Sequence, residues 1–452
     1  MTIDCLVAEI GSTTTLLNAF QLNEKVEFLG SALASTTVDT DVREGLKKAL
    51  KNLEDTLNTD SIEYETMFAA SSAAGGLKMS VSGLVYEMTV KAAKEAASNA
   101  GANIHLITAG HLEDDDLEQI NDLKPNIILV SGGTDYGERS VALNNLKKIE
   151  QLKLNTPLIY AGNMDNHYAI KKYFSSSDQK EYLSIVENVY PRVDFMNIHP
   201  LRKKIYETFE KHIVHAKGMA HIKDMVDGAI MPTPGSVMES TMLLKEILGN
   251  VMVIDVGGAT TDVHSIAPPS EEFAEYLEGE PFEKRTVEGD LGVFINYRNV
   301  IEKIGNKLLA RLLNIDEDAL IKMIDNYQYK PETNLERQLV FELTKKCVFD
   351  ALDRHIGDLR NVYTTSGQKI IPDGRDLTQI QHIVLTGGAL VHLKNTENII
   401  MEYMRNRPKK LIPKAFEIYK DYDYIMSSVG VLSLKYPSQA ASLLEQSLKR
   451  KR

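Results

Sequence analysis

The sequence predicts an α/β protein made of two related lobes with a ligand cleft between them. A motif consisting of an apolar strand, an acid, a glycine and a hydroxyl-rich turn occurs twice in the chain. Strands and helices alternate along much of the sequence, which is typical of parallel sheets that bind ligands beyond the carboxyl ends of their strands. A chain of 452 residues is also too long for one compact core.

The most informative stretch runs from Val251 to His264. It opens with a short apolar, β-branched run that predicts a buried strand, and Asp255 interrupts that run. A carboxylate in a buried strand needs a partner or a metal. The glycines that follow allow a tight turn with amide groups pointing outward. The stretch therefore predicts phosphate binding, although a core strand that ends in a glycine turn would explain it equally well when it is taken alone.

The same pattern at the N-terminus favours phosphate binding. Residues 5–15 again contain a strand, the acid Glu9, a glycine and a hydroxyl cluster, and Asp255 follows Glu9 by 246 residues. A second pair of stretches, 127–134 and 383–389, also matches, with Gly387 lying 255 residues after Gly132. Two pairs at nearly the same separation predict an internal duplication.

These motifs resemble the two phosphate hairpins and the adenosine-site glycine pair of the actin-like ATPase superfamily, which includes sugar kinases, Hsp70 chaperones and cobalamin-enzyme reactivases. A closer resemblance covers nearly the whole chain and identifies it as similar to the glutamate mutase accessory protein family, called GlmL or MutL and unrelated to the mismatch-repair protein. Members are encoded beside adenosylcobalamin-dependent mutases or aminomutases. The stretches that carry this resemblance are 8–15, 71–77, 232–235, 255–264, 285–292 and 385–390.

The resemblance implies a fold of two duplicated ribonuclease H-like/actin-like ATPase lobes around a nucleotide cleft. The predicted lobes are residues 1–248 and 249–452. The first is expected to contain a mostly helical insertion at about 164–240.

The resemblance also implies ATP and Mg²⁺ as cofactors. Asp255 is the predicted Mg²⁺ carboxylate, and Glu9 is the second candidate. Glu9, Asp135, Glu138 and Asp262 are candidates to orient an attacking water. Residues expected at the β- and γ-phosphates are Gly11, Ser12, Thr13, Thr14, Gly257, Gly258, Ala259, Thr260, Thr261 and Asp262. Gly387 and Gly388 are expected near the α-phosphate and adenosine.

Glu9 departs from the superfamily, which usually has Asp at this position. Its longer side chain would reach the metal directly or displace a metal-bound water, so the site is expected either to hydrolyse ATP slowly or only to bind it. The leading functional prediction is an ATP-binding reactivating factor for an adenosylcobalamin-dependent mutase, with cobalamin contacted only through that partner, if at all. A sugar-type small-molecule kinase and a non-catalytic actin-like binding module are the alternatives.

Bulk properties exclude some classes of partner. The formal net charge of −12 argues against nucleic acids and anionic membranes. Cys5 and Cys347 lie in apolar patterns, which predicts buried thiols in a reducing cytoplasm. No apolar run approaches the roughly 20 residues that span a bilayer, and the N-terminus does not have the pattern of a signal peptide. A cytoplasmic location is therefore expected.

Overall fold

The structure is a computed structural model that describes residues 1–11, 14–23, 25–37, 39–72, 78–213, 218–228, 230–277, 281–328, 330–364 and 367–449. The chain divides into two compact units. Unit 1 comprises Met1–Ser240, Glu278–Pro281 and Ser427–Leu443. Unit 2 comprises Thr241–Leu277, Phe282–Met426 and Leu444–Arg452. The boundary predicted at residues 248/249 stays a prediction.

The first part of the chain, in unit 1, contains two sheets. The strands are β1 (Thr2–Ile10), β2 (Thr14–Gln21), β3 (Glu27–Ser35), β4 (Glu63–Ser71), β5 (Lys78–Gly83), β6 (Asn103–Ala109), β7 (Ile127–Val130), β8 (Leu158–Tyr160), β9 (Leu183–Ile185) and β10 (Ile230–Pro232). The helices are α1 (Val42–Thr56), α2 (Lys91–Asn99), α3 (Asp114–Leu123), α4 (Ser140–Gln151), α5 (His167–Phe174), α6 (His199–Ile213) and α7 (Thr233–Leu248), the last of which continues into unit 2.

The main sheet of unit 1 has the order β10-β4-β1-β2-β3. Strands β1, β2 and β3 form an antiparallel meander, and β4 and β10 add to β1 in parallel. The strand β1 is central because its sequence is apolar on both faces, with Ile3 and Leu6 among its fully buried side chains. Asp41 caps α1 by accepting a hydrogen bond from the Arg43 amide.

The second sheet of unit 1 is inserted between β4 and β10 in the sequence and has the all-parallel order β6-β5-β7-β8-β9. The chain proceeds from β5 to β6 on one side and then to β7, β8 and β9 on the other, so the strand order reverses between β5 and β7. The segment 164–240, predicted to be a mostly helical insertion, contains α5, α6 and the start of α7 together with β9 and β10. The inserted sheet itself begins earlier, at Lys78.

Unit 2 is built around one sheet of order β13-β12-β11-β16-β17. The strands are β11 (Val251–Val256), β12 (Thr261–Ile266), β13 (Glu283–Glu288), β14 (Asp358–Thr364), β15 (Gly367–Asp373), β16 (His382–Thr386) and β17 (Glu417–Lys420). The helices are α8 (Tyr297–Ile304), α9 (Asn306–Leu313), α10 (Glu317–Asp325), α11 (Asn334–His355), α12 (Gly388–His392), α13 (Glu397–Arg405), α14 (Met426–Ser433) and α15 (Pro437–Lys449). Helices α14 and α15 contain residues of both units, and β14 and β15 form a separate ribbon.

The two main sheets have the same topology. In unit 2, β11, β12 and β13 form an antiparallel meander, and β16 and β17 add to β11 in parallel. This arrangement repeats, strand for strand, the order and direction of β1, β2, β3, β4 and β10. The predicted duplication into two ribonuclease H-like lobes is therefore confirmed.

One of the two sequence pairs used to predict the duplication does not correspond in the fold. Strand β16 lies parallel to β11 in a main sheet, so its counterpart is β4, which lies parallel to β1. Strand β7, the matched stretch, belongs to the inserted sheet instead. The two stretches resemble each other because each is a short buried parallel strand that ends in a glycine turn.

Other bulk predictions can be compared with the structure. Both thiols are free and buried, as predicted, and burial raises the pKa of Cys5 and of Cys347 to about 12. Among the residues that the structure describes, no helix is both long and apolar enough to cross a membrane.

Helix α14 packs very closely against the start of α7 within unit 1. The hydroxyl groups of Ser236 and Ser427 lie 2.8 Å apart, and a Cβ atom at position 430 would overlap the carbonyl oxygen of Ser236. Of the small residues predicted to pack closely here, Ser427 and Gly430 contact α7, whereas Ser428 contacts Asn18 and Glu9.

We expect Gly430→Ala to lower the free energy of unfolding. Overpacking typically costs about 1–3 kcal/mol, which outweighs the gain of about 1 kcal/mol that alanine brings to a helix. Gly289→Ala is the matched control because a Cβ atom there would meet nothing within 4 Å. Urea unfolding followed by circular dichroism measures both variants. Equal stability of Gly430→Ala and wild type would contradict the close packing of α14.

Candidate functional site

Each main sheet carries the same tight hairpin after its central strand. In unit 2 the Gly257 amide donates to the Thr260 carbonyl at 2.9 Å, and in unit 1 the Gly11 amide donates to the Thr14 carbonyl at 2.9 Å. Counting back from these turns puts Glu9 and Asp255 at equivalent positions, each one residue before the end of its strand. Ser12 and Thr13 lie outside the described residues, so their predicted contacts stay predictions.

The loop between β11 and β12 is held by its carbonyl groups. The Gly257 carbonyl accepts from the Val293 amide at 3.2 Å, and the Gly258 carbonyl accepts from the Phe294 and Ile295 amides at 2.9 and 2.7 Å. The Ala259 carbonyl accepts from the Asn296 side chain at 2.7 Å. A trans peptide places each N–H opposite the preceding carbonyl. The amides of residues 258–260 therefore point to the other side of the loop, as an anion cradle requires.

Gly292 makes this arrangement possible. A Cβ atom at this position would overlap the backbone of Ala259 and the carbonyl oxygen of Gly258. Segment 293–296 can approach the loop only because residue 292 has no side chain. The sequence indicated this position solely as part of the 285–292 motif and gave no sign that it supports the loop.

The side chains of residues 260–262 make different contacts. The Thr260 hydroxyl donates to Asp262 Oδ2 at 3.0 Å, and Asp262 Oδ1 accepts from the buried guanidinium of Arg285 at 2.5 Å. The Thr261 hydroxyl is fully buried and donates to the Leu291 carbonyl at 2.8 Å.

The side-chain roles predicted for Thr261 and Asp262 therefore need correction. Side chains alternate along a strand, so the Thr261 hydroxyl points into the core of unit 2 and not towards the loop. Both carboxylate oxygens of Asp262 are hydrogen-bonded by Thr260 and Arg285, which makes Asp262 a support for the loop and a poor candidate to orient water.

The two glycines predicted at the adenosine site differ in the space around them. Gly387 has a φ of +88°, and a Cβ atom there would lie 2.5 Å from Asp255 Oδ1 and from the Val256 carbonyl oxygen. Gly388 begins α12, and a Cβ atom there would meet nothing within 4 Å. Gly387 therefore lies beside the predicted metal carboxylate, whereas Gly388 borders open space.

Glu9 is oriented by a hydroxyl within unit 1. The Ser428 hydroxyl donates to Glu9 Oε1 at 2.8 Å, and the Asn18 side-chain amide donates to Ser428 Oγ at 2.8 Å. Asn18 and Ser428 are both fully buried. The carboxylate of Glu9 is therefore held in a defined direction at the end of β1.

Asp135 and Glu138, the other candidates for orienting water, lie after β7 in the inserted sheet. Asp135 Oδ1 accepts from the Asn188 side chain at 2.9 Å and from the Met164 amide at 3.0 Å. Burial acts to raise the pKa of Glu138, but hydrogen bonds from Ser140 and from backbone amides lower it overall. The structure thus uses both carboxylates to fasten loops at the ends of the inserted strands.

Comparisons with known proteins identify the family. A profile of the MutL protein family matches residues 5–448. The chain belongs to the MutL family. It is 34% identical over 459 residues to "Protein MutL" of Clostridium tetanomorphum, with 98% of each chain covered. This is the glutamate mutase accessory family that the sequence motifs resemble.

Solved structures also align with most of this MutL-family chain, but at low identity. Nucleotide-free acetone carboxylase aligns with 12% identity and a TM-score of 0.40, covering 95% of this chain and 70% of that one. A nucleotide-free diol dehydratase-reactivating factor aligns with 11% identity and a TM-score of 0.38, covering 96% of this chain and all of that one. Component A of the (R)-2-hydroxyglutaryl-CoA dehydratase of Acidaminococcus fermentans aligns with 10% identity and a TM-score of 0.34, covering 99% of this chain and all of that one.

A charged cluster that sequence reasoning missed lies beside the β11–β12 hairpin of this MutL-family chain. Arg354 pairs with Glu288 and with Asp290 Oδ1, the latter at 2.8 Å, and Lys303 pairs with Asp290 at 3.1 Å. Burial raises the pKa of Glu288, whereas the hydrogen bond from Arg354 holds the pKa of Asp290 well below its usual range. Both acids lie in the 285–292 motif, so this motif is the feature of the sequence that could have indicated the charged cluster.

His264 and His355 are buried within unit 2. The His355 ring accepts or donates hydrogen bonds with the Ser265 and Thr286 hydroxyls at 2.8 and 2.9 Å. Burial lowers the pKa of both imidazoles well below the ordinary value. The structural role predicted for His264 is consistent with its place in the strand β12.

We expect the free energy of unfolding to fall as the pH drops below about 6.5. Unfolded imidazoles take up protons there while the buried ones do not, so each contributes up to about 1.4 kcal/mol per pH unit until its folded pKa is reached. His264→Leu should reduce this slope by removing one of the two groups. Urea unfolding between pH 5 and 8, a window suggested by the histidine pKa, measures the slope. A slope unchanged in the variant would show that His264 does not titrate on unfolding.

The glycine pair after β16 provides a matched test of the site. Gly387→Ala should lower the free energy of unfolding by about 1–3 kcal/mol, because its Cβ atom strikes Asp255 and the backbone is in the left-handed region. Gly388→Ala should unfold within about 0.5 kcal/mol of wild type because the space around it is open. Thermal or urea unfolding measures the free energy of unfolding of both variants. Equal effects at the two positions would contradict the close approach of Gly387 to Asp255.

Proposed function

We propose that this chain is an ATP-binding accessory factor that reactivates an adenosylcobalamin-dependent mutase. The observation that carries the proposal is the β11–β12 loop, whose amides at residues 258–260 point away from the anchored carbonyls, with Asp255 one residue before the end of the preceding strand. Aligned amides of this kind suit the β- and γ-phosphates of a nucleotide. Membership of the MutL family supports a mutase as the class of partner.

The residues at this loop fit a Mg²⁺ ion that accompanies the nucleotide. Mg²⁺ in such sites takes one or two carboxylates and completes its shell with waters and phosphates. Asp255 is a partly exposed carboxylate, and Gly387 keeps the space beside its Oδ1 atom free of a side chain. The part of the chain that the structure describes contains no cluster of three metal-ligating side chains, so a shell completed by phosphates and waters is the kind of site we propose. A bound Mg²⁺ would neutralise the charge of the phosphates.

The hairpin of unit 1 repeats this chemistry with two differences. Glu9 replaces the aspartate, and the Ser428 hydroxyl fixes the direction of its carboxylate. The turn from Gly11 to Thr14 has the same closing hydrogen bond as its counterpart in unit 2. We propose Glu9 as the second metal candidate, with Gly11 and Thr14 at the phosphates. That this hairpin binds the same nucleotide stays a prediction, which rests on the duplication.

The proposed role follows from thermodynamic linkage. If the mutase binds one nucleotide state of the factor more tightly than another, then nucleotide binding and mutase binding change each other by the same factor. A reactivating factor needs such coupling because it must bind an inactive enzyme and later release it. Cobalamin itself would then be contacted only through the mutase.

We expect Asp255→Asn to uncouple nucleotide from partner. The substitution keeps the shape of the side chain and removes the charge that would attract Mg²⁺, so it should weaken Mg-ATP by about tenfold or more, as the loss of a charged interaction does. Titration calorimetry with Mg-ATP measures this loss, and circular dichroism confirms that the fold is kept. Mutase affinity in the variant should no longer respond to ATP.

The same experiment separates the competing functions. Mutase binding and ATP turnover are measured for wild type and Asp255→Asn, with and without the cognate mutase and with a panel of sugars. Turnover stimulated by a sugar alone would favour a small-molecule kinase. Wild-type mutase affinity that is identical with and without Mg-ATP would reject the coupled mechanism. If the wild-type protein does not bind ATP, the remaining hypothesis is a non-catalytic binding module.

A further inference from the structure

The inserted sheet of unit 1 presents a surface that lies outside both glycine hairpins. Parallel strands end at the same edge of a sheet, so the segments that follow β5 to β9 lie together at one edge. We call this edge the strand-end rim and define it as residues 84–87, 110–116, 132–139, 162–168 and 187–195. It is the edge at which ligands of doubly wound sheets bind.

The loops of the rim are locked to one another by short contacts. The Asn163 amide donates to the Gly132 carbonyl at 3.1 Å, and a Cβ atom on Gly162 would lie within 2.9 Å of the Gly132 backbone. The buried Asn188 side chain donates to the Gly133 carbonyl at 3.0 Å as well as to Asp135. The loops after β7, β8 and β9 therefore form one platform, whose low flexibility reduces the entropic cost of binding.

Large apolar side chains project from this platform into solvent. Tyr136 is 79% exposed and Tyr168 is 78% exposed, and five further exposed side chains share the rim. These five are Val85, Tyr86, Met164, Val193 and Phe195. Single exposed apolar residues are ordinary on protein surfaces, but seven along one sheet edge are not. Tyrosine, phenylalanine and methionine are the residue types that protein interfaces concentrate.

Tyr136 also has a φ of +63°, which is unusual for a residue with a bulky side chain. The Asp135 amide before it donates to the Pro191 carbonyl at 2.8 Å, so this backbone conformation is imposed by the loops around it. Strain of this kind is retained where it positions a functional side chain. Here it presents the Tyr136 ring to solvent at the centre of the rim.

The charge of the rim is mostly negative. Exposed acids follow β6 at Glu113, Asp114 and Asp115, and three more lie at Glu87, Glu187 and Asp194. The exposed cations of the rim are Arg139 and Arg192, and the Arg192 guanidinium stacks on the Phe195 ring with its carbon 4.7 Å from the ring centroid. A partner that complements this surface carries basic residues around apolar pockets.

A phosphate-bearing small ligand fits the rim less well. At the reversal of strand order, where such ligands bind, the Thr89 hydroxyl accepts from the Leu84 amide at 2.9 Å and from the Val85 amide at 3.2 Å. These amides already have an acceptor, so they do not form a phosphate cradle. The exposed rings and acids instead favour a protein surface.

We propose that the strand-end rim is the surface that binds the mutase, through a basic, apolar-pocketed face of a mutase subunit that receives Tyr136 and Tyr168. The identity of the partner rests on the proposed function. The location of the surface rests on the locked loops, the seven exposed apolar side chains and the acidic charge. The rim lies outside both glycine hairpins, so a variant of it should leave ATP binding unchanged.

The test compares mutase binding by wild type, Tyr168→Ala and the double variant Tyr136→Asn/Tyr168→Ala. Asparagine accepts the left-handed backbone of residue 136, and Tyr168→Ala alone on α5 covers the case in which the double variant misfolds. Tyr363→Ala is the matched control, because this equally exposed tyrosine lies on β14 in unit 2. Biolayer interferometry with the purified cognate mutase measures affinity, and calorimetry measures Mg-ATP binding.

We expect about tenfold weaker mutase binding by the double variant and a smaller loss in Tyr168→Ala, as for interface hot spots. Mg-ATP affinity and the behaviour of Tyr363→Ala should match wild type, and added salt should weaken the wild-type complex. Wild-type mutase binding that survives unchanged in the rim variants overturns this surface while leaving the proposed function intact. Absence of wild-type binding overturns both. Sedimentation measures self-association of the same variants. If the rim variants lose self-association but keep mutase binding, the rim is an interface between copies of this chain, and its assignment to the mutase is overturned.

Discussion

The candidate site depends on three backbone carbonyls that are turned away from it. Segment 293–296 hydrogen-bonds the carbonyls of residues 257–259, and this fixes the peptide planes so that the following amides face the opposite side. Gly292 permits the approach, and the buried Thr261 hydroxyl anchors the neighbouring Leu291 carbonyl. The loop is therefore pre-organised by groups that would never touch a nucleotide.

Duplication has not kept the two hairpins identical. The strand pairings make Leu16 the counterpart of Asp262 and Ser31 the counterpart of Arg285, so the buried ion pair exists in unit 2 and has no equivalent in the hairpin of unit 1. Removing one partner of a buried ion pair is costly, about 3–5 kcal/mol, which makes such a pair a strict constraint on the loop it supports. In unit 1 the neutral Ser428 hydroxyl orients Glu9, which is the counterpart of Asp255 and not of Asp262. The two equivalent hairpins thus differ in the contacts that surround them.

The sequence predicted the parts of the fold that local pattern determines. The strand, acid and glycine turn at residues 251–258 recur at residues 5–11, and the structure pairs both in the same way. The match between residues 127–134 and 383–389 wrongly predicted that these two strands are equivalent. The sheet that a strand joins depends on contacts distant in sequence, which the local pattern does not contain. Gly387 next to Asp255, and the support given by Gly292, likewise arise from strand pairing and loop packing. Neither has a signature within its own stretch.

Both sheets of unit 1 contribute to one hydrophobic core, and this bears on how a partner and a nucleotide would influence each other. Met79 of β5 and Leu129 of β7 belong to the same cluster of buried residues as Ala8 of β1, the residue next to Glu9. Val130 of β7 and Tyr160 of β8 belong to a separate cluster, which also contains Leu112 of the strand-end rim. Packed cores deform little, so a shift at the end of β1 would move whole strands rather than dissipate. Energetic coupling still requires an element with two discrete arrangements. The inserted sheet shares one hydrophobic core with the main sheet and another with its own helices, so it is the element of unit 1 through which such coupling would pass.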